Sequence, residues 1–394
     1  MAKEKVLIVG GGFGGVKAAL ELAEDKRFDV TLLTDHTEFR YYPTLYHTAT
    51  GGKRASSSVP FKVIFERLPV EFVKGVAQSL DRKAKTITTK DGKSYAFDTL
   101  IIGIGVVTNY FGIPGLQEYS YGIKTNIDAL KLKKHLHDSL VKTGKPDENY
   151  LIVGAGPTGI ELAGALGPYL HKVMKKHGLP EHRAKIGLIE AAPRLLPRMP
   201  KIVSSRLKRH LKKLGVHLYI GKVVQGETPE TLTVSGQPMK SKTVIWTAGV
   251  TNHPFFAENN FVLMPRGKVA IDVYLQTEDN IFVIGDNANT PYSGLAQTAI
   301  RDGAFVAKNL IRRKDGKLMK SYKPTVPISV IPAGKKWAVV VWKKIVVFGF
   351  LGWMLRSAAD FVAFKDIEAW PQATQQWVHD FGEEEDCAIC QRPW

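Results

Sequence analysis

Val6-Leu7-Ile8-Val9-Gly10-Gly11-Gly12-Phe13-Gly14-Gly15 joins a short apolar run to a glycine cluster, and Val16 to Leu22 continues in a helical pattern. The run reads as a buried strand. The cluster reads as a Rossmann turn, with Gly10 for the tight bend, Gly12 for close backbone approach to a pyrophosphate and Gly15 for packing helix on strand. Leu151 to Leu166 repeats the arrangement through Gly154-Ala155-Gly156-Pro157-Thr158-Gly159. One such loop is weak evidence, because any glycine-rich strand-to-helix turn imitates it. Two loops, each between an apolar strand and a helix, predict an α/β chain with two Rossmann-like dinucleotide-binding domains. Each helix N-terminus offers N–H groups and partial positive charge to phosphates.

The acid that ends the following strand sets nucleotide specificity. Ile186-Gly187-Leu188-Ile189 ends at Glu190, which can accept from both ribose hydroxyls and would repel a 2′-phosphate, so NADH is expected over NADPH. Glu190 lies further from its loop than the usual twenty or so residues, and the basic segment 171–183 reads as an insertion that lengthens the helix connection. In the first unit Val30 to Leu33 ends at Thr34-Asp35, which makes Asp35 the candidate for the first ribose; a solvated turn residue is the alternative.

Around these loops, residues 62–101 carry short alternating segments with the turn Lys90-Asp91-Gly92, read as a small antiparallel insertion. Thr99 to Gly105 returns as a buried strand, and residues 116–150 read as a helix and a polar linker. A helix is expected after Gly285-Asp286, through Ile311, and the cluster Pro324, Pro327 and Pro332 marks a boundary.

The 394 residues, 44% hydrophobic and 23% charged, suit two or three globular units and exclude a disordered chain. The formal charge of +18 favours polyanions, either nucleic acid or anionic lipid headgroups. The basic residues fall into several clusters (171–177, 206–213, 312–323) without an arginine-aromatic recognition motif, so no specific nucleic acid is expected. No targeting segment is read before Val6, and the expected location is the cytosol or its membranes. The two cysteines, Cys387 and Cys390, lie far from any body position where a disulfide reductase or a sulfur carrier would need them. They read as an ordinary reduced tail, a redox pair, or half of a metal site shared between subunits, and no metal ligand is assigned.

With both loops the chain resembles the type II NADH dehydrogenases of the FAD-dependent pyridine nucleotide-disulfide oxidoreductase superfamily. The resemblance also rests on Pro43-Thr44-Leu45-Tyr46, Ala49-Thr50-Gly51, Thr108-Asn109-Tyr110-Phe111-Gly112-Ile113-Pro114-Gly115, Glu161-Leu162-Ala163-Gly164, Glu190-Ala191-Ala192-Pro193-Arg194, Trp246-Thr247-Ala248-Gly249-Val250, Gly285-Asp286 and Ala296-Gln297-Thr298-Ala299. It implies a glutathione-reductase-like tandem fold. Residues 1–115 and 250–325 would hold FAD, residues 116–249 NADH, and residues 326–394 would associate with a membrane.

The implied activity is FAD-dependent NADH oxidation with electron transfer to a quinone, without proton pumping, on the cytoplasmic face of the cell membrane, and a homodimer is compatible; the alternatives are a soluble NADH-dependent flavoprotein reductase of a ferredoxin- or rubredoxin-type acceptor and an NADH-binding flavoprotein resembling apoptosis-inducing factor. FAD would meet Gly10, Gly12, Phe13, Gly14, Gly15, Asp35, Gly285 and Asp286, and Thr50, Gly105, Asn109, Ala248, Gly249, Ala296 and Gln297 would contact a cofactor. NADH would meet Gly154, Gly156, Pro157, Thr158, Gly159 and Glu190. Asp286 would bind the FAD ribitol, or else cap the next helix. Glu161 would sit beside nicotinamide and flavin, or else only stabilise its helix. Gln297 matches the first glutamine of a paired-glutamine quinone motif, whereas Arg301 stands where the second is expected. Thr34 occupies the position at which many relatives carry the ribose acid.

From Lys335 the chain alternates lysine, tryptophan and aliphatic residues. Ile345 to Leu355 is too short for the roughly 20 residues of a spanning helix, and extending it backward draws Lys343 and Lys344 into the apolar layer. An element resting on an anionic lipid surface is expected, anchored by Trp337, Trp342, Trp353, Trp370 and Trp377; a buried capping element is the alternative.

Overall fold

The computed structural model describes residues 2–180, 184–365, 387 and 390. Its centre is a six-stranded sheet in the order Gln276–Glu278, Ile281–Val283, Thr99–Ile102, Glu4–Val9, Phe28–Thr34 and Val70–Lys74. Every pair is parallel except the Gln276–Glu278 edge. Val6 to Val9 are buried, which is why this strand is apolar at consecutive positions: helices and meanders cover both faces of a parallel sheet. A second, all-parallel sheet orders Val216–Ile220, Ile186–Glu190, Tyr150–Val153 and Thr243–Trp246. The chain is thus α/β with two Rossmann-like units.

Each unit carries an antiparallel three-stranded meander, Ala77–Asp81 with Thr86–Thr89 and Ser94–Ala96 on the first, Val224–Glu227 with Thr231–Val234 and Gln237–Lys240 on the second. The expected insertion within 62–101 is therefore narrower than its sequence suggested, because Val70–Lys74 joins the main sheet beside Phe28–Thr34. The stretch after residue 116 forms two helices, Leu116–Tyr119 and Asn126–Thr143. Thr125 and Asp128 close a capping box at the start of the longer one, and Gly144, at φ 66°, ends it. Of the basic segment 171–183, read as an insertion that lengthens the helix connection, residues 171–176 continue the helix that starts at Pro157. Residues 181–183 lie outside the described residues.

Two antiparallel strands, Val106–Thr108 and Val250–Asn252, connect the units. Beside them the two family strings lock together: Trp246 Nε1 donates to the Asn109 carbonyl at 2.9 Å, and a Cβ on Gly249 would lie 2.6 Å from the Phe111 ring.

The C-terminal run departs from its reading as one interfacial element. Ser329–Pro332, Ala338–Trp342 and Ile345–Gly349 form an antiparallel sheet, and Phe350–Lys365 is a helix. Lys343 and Lys344 are the hairpin tip, with Lys343 at φ 53°. β-Branched residues fill the strands and the turn breaks the run, so a single helix never forms. Trp337 is partly buried, its ring stacked on His210 with 4.0 Å between centroids and 9° from parallel. Trp342 is exposed, Trp353 is half-buried against Phe350, and Trp370 and Trp377 lie outside the described residues.

Candidate functional site

The two glycine loops share one geometry. Gly10 and Gly154 hold φ of +115° and +104°, which other residues rarely adopt. A Cβ on Gly15 would sit 1.9 Å from the Gly10 carbonyl oxygen, and one on Gly159 equally 1.9 Å from that of Gly154. At Gly12 and Gly156, by contrast, a Cβ would meet nothing within 4 Å, leaving open space over the backbone where a phosphate chain can lie. Pro157 starts its helix where a missing N–H costs nothing.

A cleft of about 710 Å³ begins at the first loop, within the roughly 300–1,000 Å³ of small-molecule and cofactor sites. Gly10, Gly12, Phe13, Gly14, Asp35, Gly105, Pro157, Thr158, Glu161, Gly285, Asp286, Ala296 and Gln297 all line it. Gly15, Thr50, Asn109, Gly154, Gly156, Gly159, Glu190, Ala248 and Gly249 lie off this wall. Thr50 turns its hydroxyl back to the Tyr46 carbonyl at 2.9 Å, and Asn109 spends its side-chain oxygen on the Phe111 N–H at 2.8 Å.

At one end of the cleft Asp35 contacts His36, which holds its carboxyl down at about 2. Thr34 is buried beside the pair, its hydroxyl 3.1 Å from His36 Nδ1. Gly285-Asp286 follows the Ile281–Val283 strand. Asp302 accepts from the Gly285 N–H at 3.0 Å and from Tyr322 Oη at 2.6 Å, and burial pushes its carboxyl up to about 6. Asp286 itself accepts from the Gly294 N–H at 3.0 Å and caps no helix, since the next one starts at Ala296 behind Leu295.

Glu161 lies in the second turn of its helix, on the cleft wall. Burial drives its carboxyl up to about 7, the Arg356 charge opposes this, and Asp360 adds to it. Arg356 and Asp360 were not picked out in the sequence. They form a buried pair with Arg356 Nε 2.5 Å from Asp360 Oδ2; Tyr41 Oη donates to Asp360 Oδ1 at 2.6 Å and Arg356 to the Pro43 carbonyl at 3.2 Å. This bolts the Phe350–Lys365 helix over the cleft. Their signal was an i,i+4 charge pair inside an apolar helix. Lys124 was also missed; its ammonium stands 4.9 Å over the Tyr42 ring, and burial lowers its pKa against the pull of Asp286.

Gln297 lines the cleft beside Ile328, its Oε1 accepting from the Ile328 N–H at 3.1 Å. Arg301 points elsewhere, to the Thr325 carbonyl at 3.1 Å. Glu190 ends its strand with Oε2 on the Ala155 N–H and Oε1 on the Ala192 N–H, both at 2.8 Å.

Among known proteins, the chain is similar to the type II NADH:quinone oxidoreductase of Staphylococcus aureus, 29% identical over 345 residues that cover 82% of this chain and 85% of the relative. The fold matches that of NDH2 from Plasmodium falciparum in complex with NADH, with a TM-score of 0.84 at 17% identity over 96% of this chain and 97% of that one. It also matches the sulfide:quinone oxidoreductase of Aquifex aeolicus, with a TM-score of 0.78 at 20% identity over 98% of each chain. The pyridine nucleotide-disulphide oxidoreductase model matches residues 4–303, so the chain belongs to that family.

Proposed function

We propose that the chain oxidises NADH at a bound FAD and passes the electrons to a quinone. The observation that carries this reading is one continuous cleft walled by the first glycine loop, the start of the second loop's helix and the C-terminal helix. The open cradle over Gly12 and the cleft's volume fit FAD. The S. aureus relative, whose name carries the same activity, supports the choice of acceptor.

FAD, when bound, supplies a hydride acceptor that returns its electrons to a second substrate. Around it Gly10 to Gly14 and their helix N-terminus hold phosphates, Asp35 the adenosine ribose and Asp286 the ribitol, with Asp302 fixing the Gly285–Asp286 turn. The cradle at Gly156 receives the phosphates of NADH, and Glu190 accepts from its ribose hydroxyls. Glu161, which binds a proton near neutral pH, faces the cleft where donor and flavin would meet. Gln297 and the Ile328 segment wall the acceptor end. In domain terms, residues 1–115 and 250–325 form the FAD unit and 116–249 the NADH unit.

Residues 326–394 associate with the cytoplasmic face of an anionic membrane. Among the described residues no helix is long and apolar enough to cross one. Phe350, Leu351, Met354, Leu355 and Val362 are exposed on the last helix, and Trp342, Lys343, Lys344 and Ile345 are exposed at the neighbouring hairpin tip. An apolar stripe bordered by lysines suits insertion at headgroup depth.

The test is a flavin absorbance spectrum followed by an acceptor panel. NADH oxidation should proceed with ubiquinone or menaquinone analogues; turnover with ferredoxin-type proteins and none with quinones overturns the reading.

A further inference from the structure

Away from the cleft, four side chains from three parts of the chain converge on one point. His137 lies near the end of the Asn126–Thr143 helix, His177 directly follows the Pro157–Lys176 helix, and Cys387 and Cys390 come from the C-terminal tail. Their ligating atoms all lie within 4.8 Å of one another. We propose that His137, His177, Cys387 and Cys390 form a closed, tetrahedral Cys2His2 zinc site that clasps the tail to the second nucleotide unit.

Hydrogen bonding alone does not account for the cluster. His177 Nε2 stands 3.2 Å from His137 Nε2, 3.2 Å from Cys390 Sγ and 3.4 Å from Cys387 Sγ. An imidazole nitrogen offers one proton or one lone pair, so it satisfies one of these three neighbours. A cation at the centre satisfies all of them. The distances have the right size. Zn–N bonds of about 2.0 Å and Zn–S bonds of about 2.3 Å give a tetrahedron with edges of roughly 3.3 Å between nitrogens and roughly 3.5 Å between nitrogen and sulfur. The fourth recorded edge, Cys390 Sγ to His137 Nε2, is 3.4 Å.

The surroundings are those of a metal-binding histidine. His137 turns its other nitrogen to Asp138 Oδ1 at 3.2 Å, so Nδ1 carries the proton and Nε2 presents its lone pair inward, the usual carboxylate–histidine–metal relay. Lys134 holds the second oxygen of that carboxylate at 2.7 Å. Lys176 donates to the Cys390 carbonyl, fixing the tail at the helix end. Cys390 is 5% exposed, and the two cysteines are not disulfide-bonded.

Zinc is the best match for two thiolates and two imidazoles in a tetrahedron. Binding releases the two thiol protons, and the two thiolates then cancel the charge of the cation, so the partly buried site is neutral. Four protein ligands leave no open position, which makes the site structural. The C-x-x-C pair is completed by histidines of the same chain, not by a second subunit. His137 sits on, and His177 just past, a helix packed in one core with the Tyr150–Val153 strand, so the clasp joins the tail that follows the cleft-covering helix to the unit proposed for NADH.

The test uses the full chain purified with its flavin and without metal-chelate resin. One zinc per chain should be found by elemental analysis. Both thiols should resist a thiol reagent until a chelator is added, and cobalt(II) exchanged for zinc should give the intense visible bands of a tetrahedral thiolate site. Cys387→Ser with Cys390→Ser should lose at least nine-tenths of the zinc and the cobalt bands while keeping flavin and NADH-dependent reduction of a small artificial acceptor. His137→Ala should weaken cobalt binding at least tenfold. A native protein without zinc that takes up no cobalt with a thiolate band overturns the proposal, as does a Cys387–Cys390 disulfide or undiminished zinc in the cysteine variant. Should that variant lose its flavin, the cobalt spectrum of the native chain decides alone.

Discussion

Glu190 accepts from the Ala155 N–H and from the Ala192 N–H, each at 2.8 Å, so both carboxylate oxygens are fixed beside the second glycine loop. A carboxylate held this way keeps lone pairs for ribose hydroxyls and meets a 2′-phosphate with like charge. Glu190→Ala should therefore lower the ratio of kcat/KM for NADH over NADPH by about tenfold or more, equivalent to about 1.4 kcal/mol. Steady-state kinetics with both nucleotides checks it, and equal native efficiencies would contradict the assignment.

The loops predict separable losses. Gly12 and Gly156 face open space where a side chain would fill the phosphate cradle. Gly156→Val should keep bound flavin and abolish its reduction by NADH, whereas Asp286→Ala should purify with markedly less flavin. Absorbance spectra of the purified variants decide; loss of one and the same cofactor from both would break the two-site map.

What could be read in advance was what the backbone dictates locally. Gly10, Gly15, Gly154 and Gly159 are demanded by φ and by carbonyl contacts within a few residues, so the loops and the parallel strands before them were legible. Arg356 and Asp360 meet Tyr41 only after the chain has folded back over more than 300 positions, and His137 and His177 meet Cys387 and Cys390 across more than 200; no local pattern records such meetings. In the Thr108 to Gly115 string, read as cofactor-binding at Asn109, the Asn109 carbonyl accepts from Trp246 Nε1 and its side-chain oxygen from the Phe111 N–H, a junction between distant segments that the string does not announce. The lysine- and tryptophan-rich run from Lys335 hid a hairpin, because β-branched strands and a two-lysine turn look like any amphipathic stretch.

Glu161 makes stability depend on pH. Its carboxyl rises from an ordinary 4.5 to about 7, chiefly through burial. A group whose folded pKa is raised contributes fully below the unfolded value and loses that contribution as pH climbs through the folded one. The native chain should thus lose up to about 3 kcal/mol between pH 4.5 and 7 through this residue, and Glu161→Gln should not. The melting-temperature difference between variant and native protein should widen in favour of the variant across that window. A constant difference would mean that Glu161 is ionised throughout.

Gln297 binds the Ile328 backbone from both sides, accepting from its N–H at 3.1 Å and donating to its carbonyl at 3.4 Å. Gln297→Leu should loosen this wall of the acceptor end. Stopped-flow reoxidation by quinone should slow about tenfold or more, about 1.4 kcal/mol in barrier, while flavin reduction by NADH stays within about twofold. Equal slowing of both half-reactions would assign Gln297 to general packing.

Membrane binding is best tested on the surface of the last helix, because deleting the region would remove core. Val339 and Ile331 are buried, Trp337 stacks on His210, and Arg356 and Asp360 anchor the helix to Tyr41 and Pro43. Leu351, Met354 and Leu355, exposed by 65%, 51% and 48%, can be changed to glutamine without disturbing these contacts. Lys343 and Lys344, at the exposed hairpin tip, can be changed to alanine. Each lysine near an anionic leaflet contributes about 1 kcal/mol, so the double alanine variant should bind anionic liposomes roughly thirtyfold more weakly at low salt. At high salt, where charge is screened within about 3 Å at 1 M, it should bind like the native chain. The triple glutamine variant should bind poorly at both, because salt does not restore an apolar term. Sedimentation with anionic liposomes at two ionic strengths separates the two contributions. Native protein that stays in solution under both conditions would leave the exposed stripe without a membrane role and favour a soluble reductase.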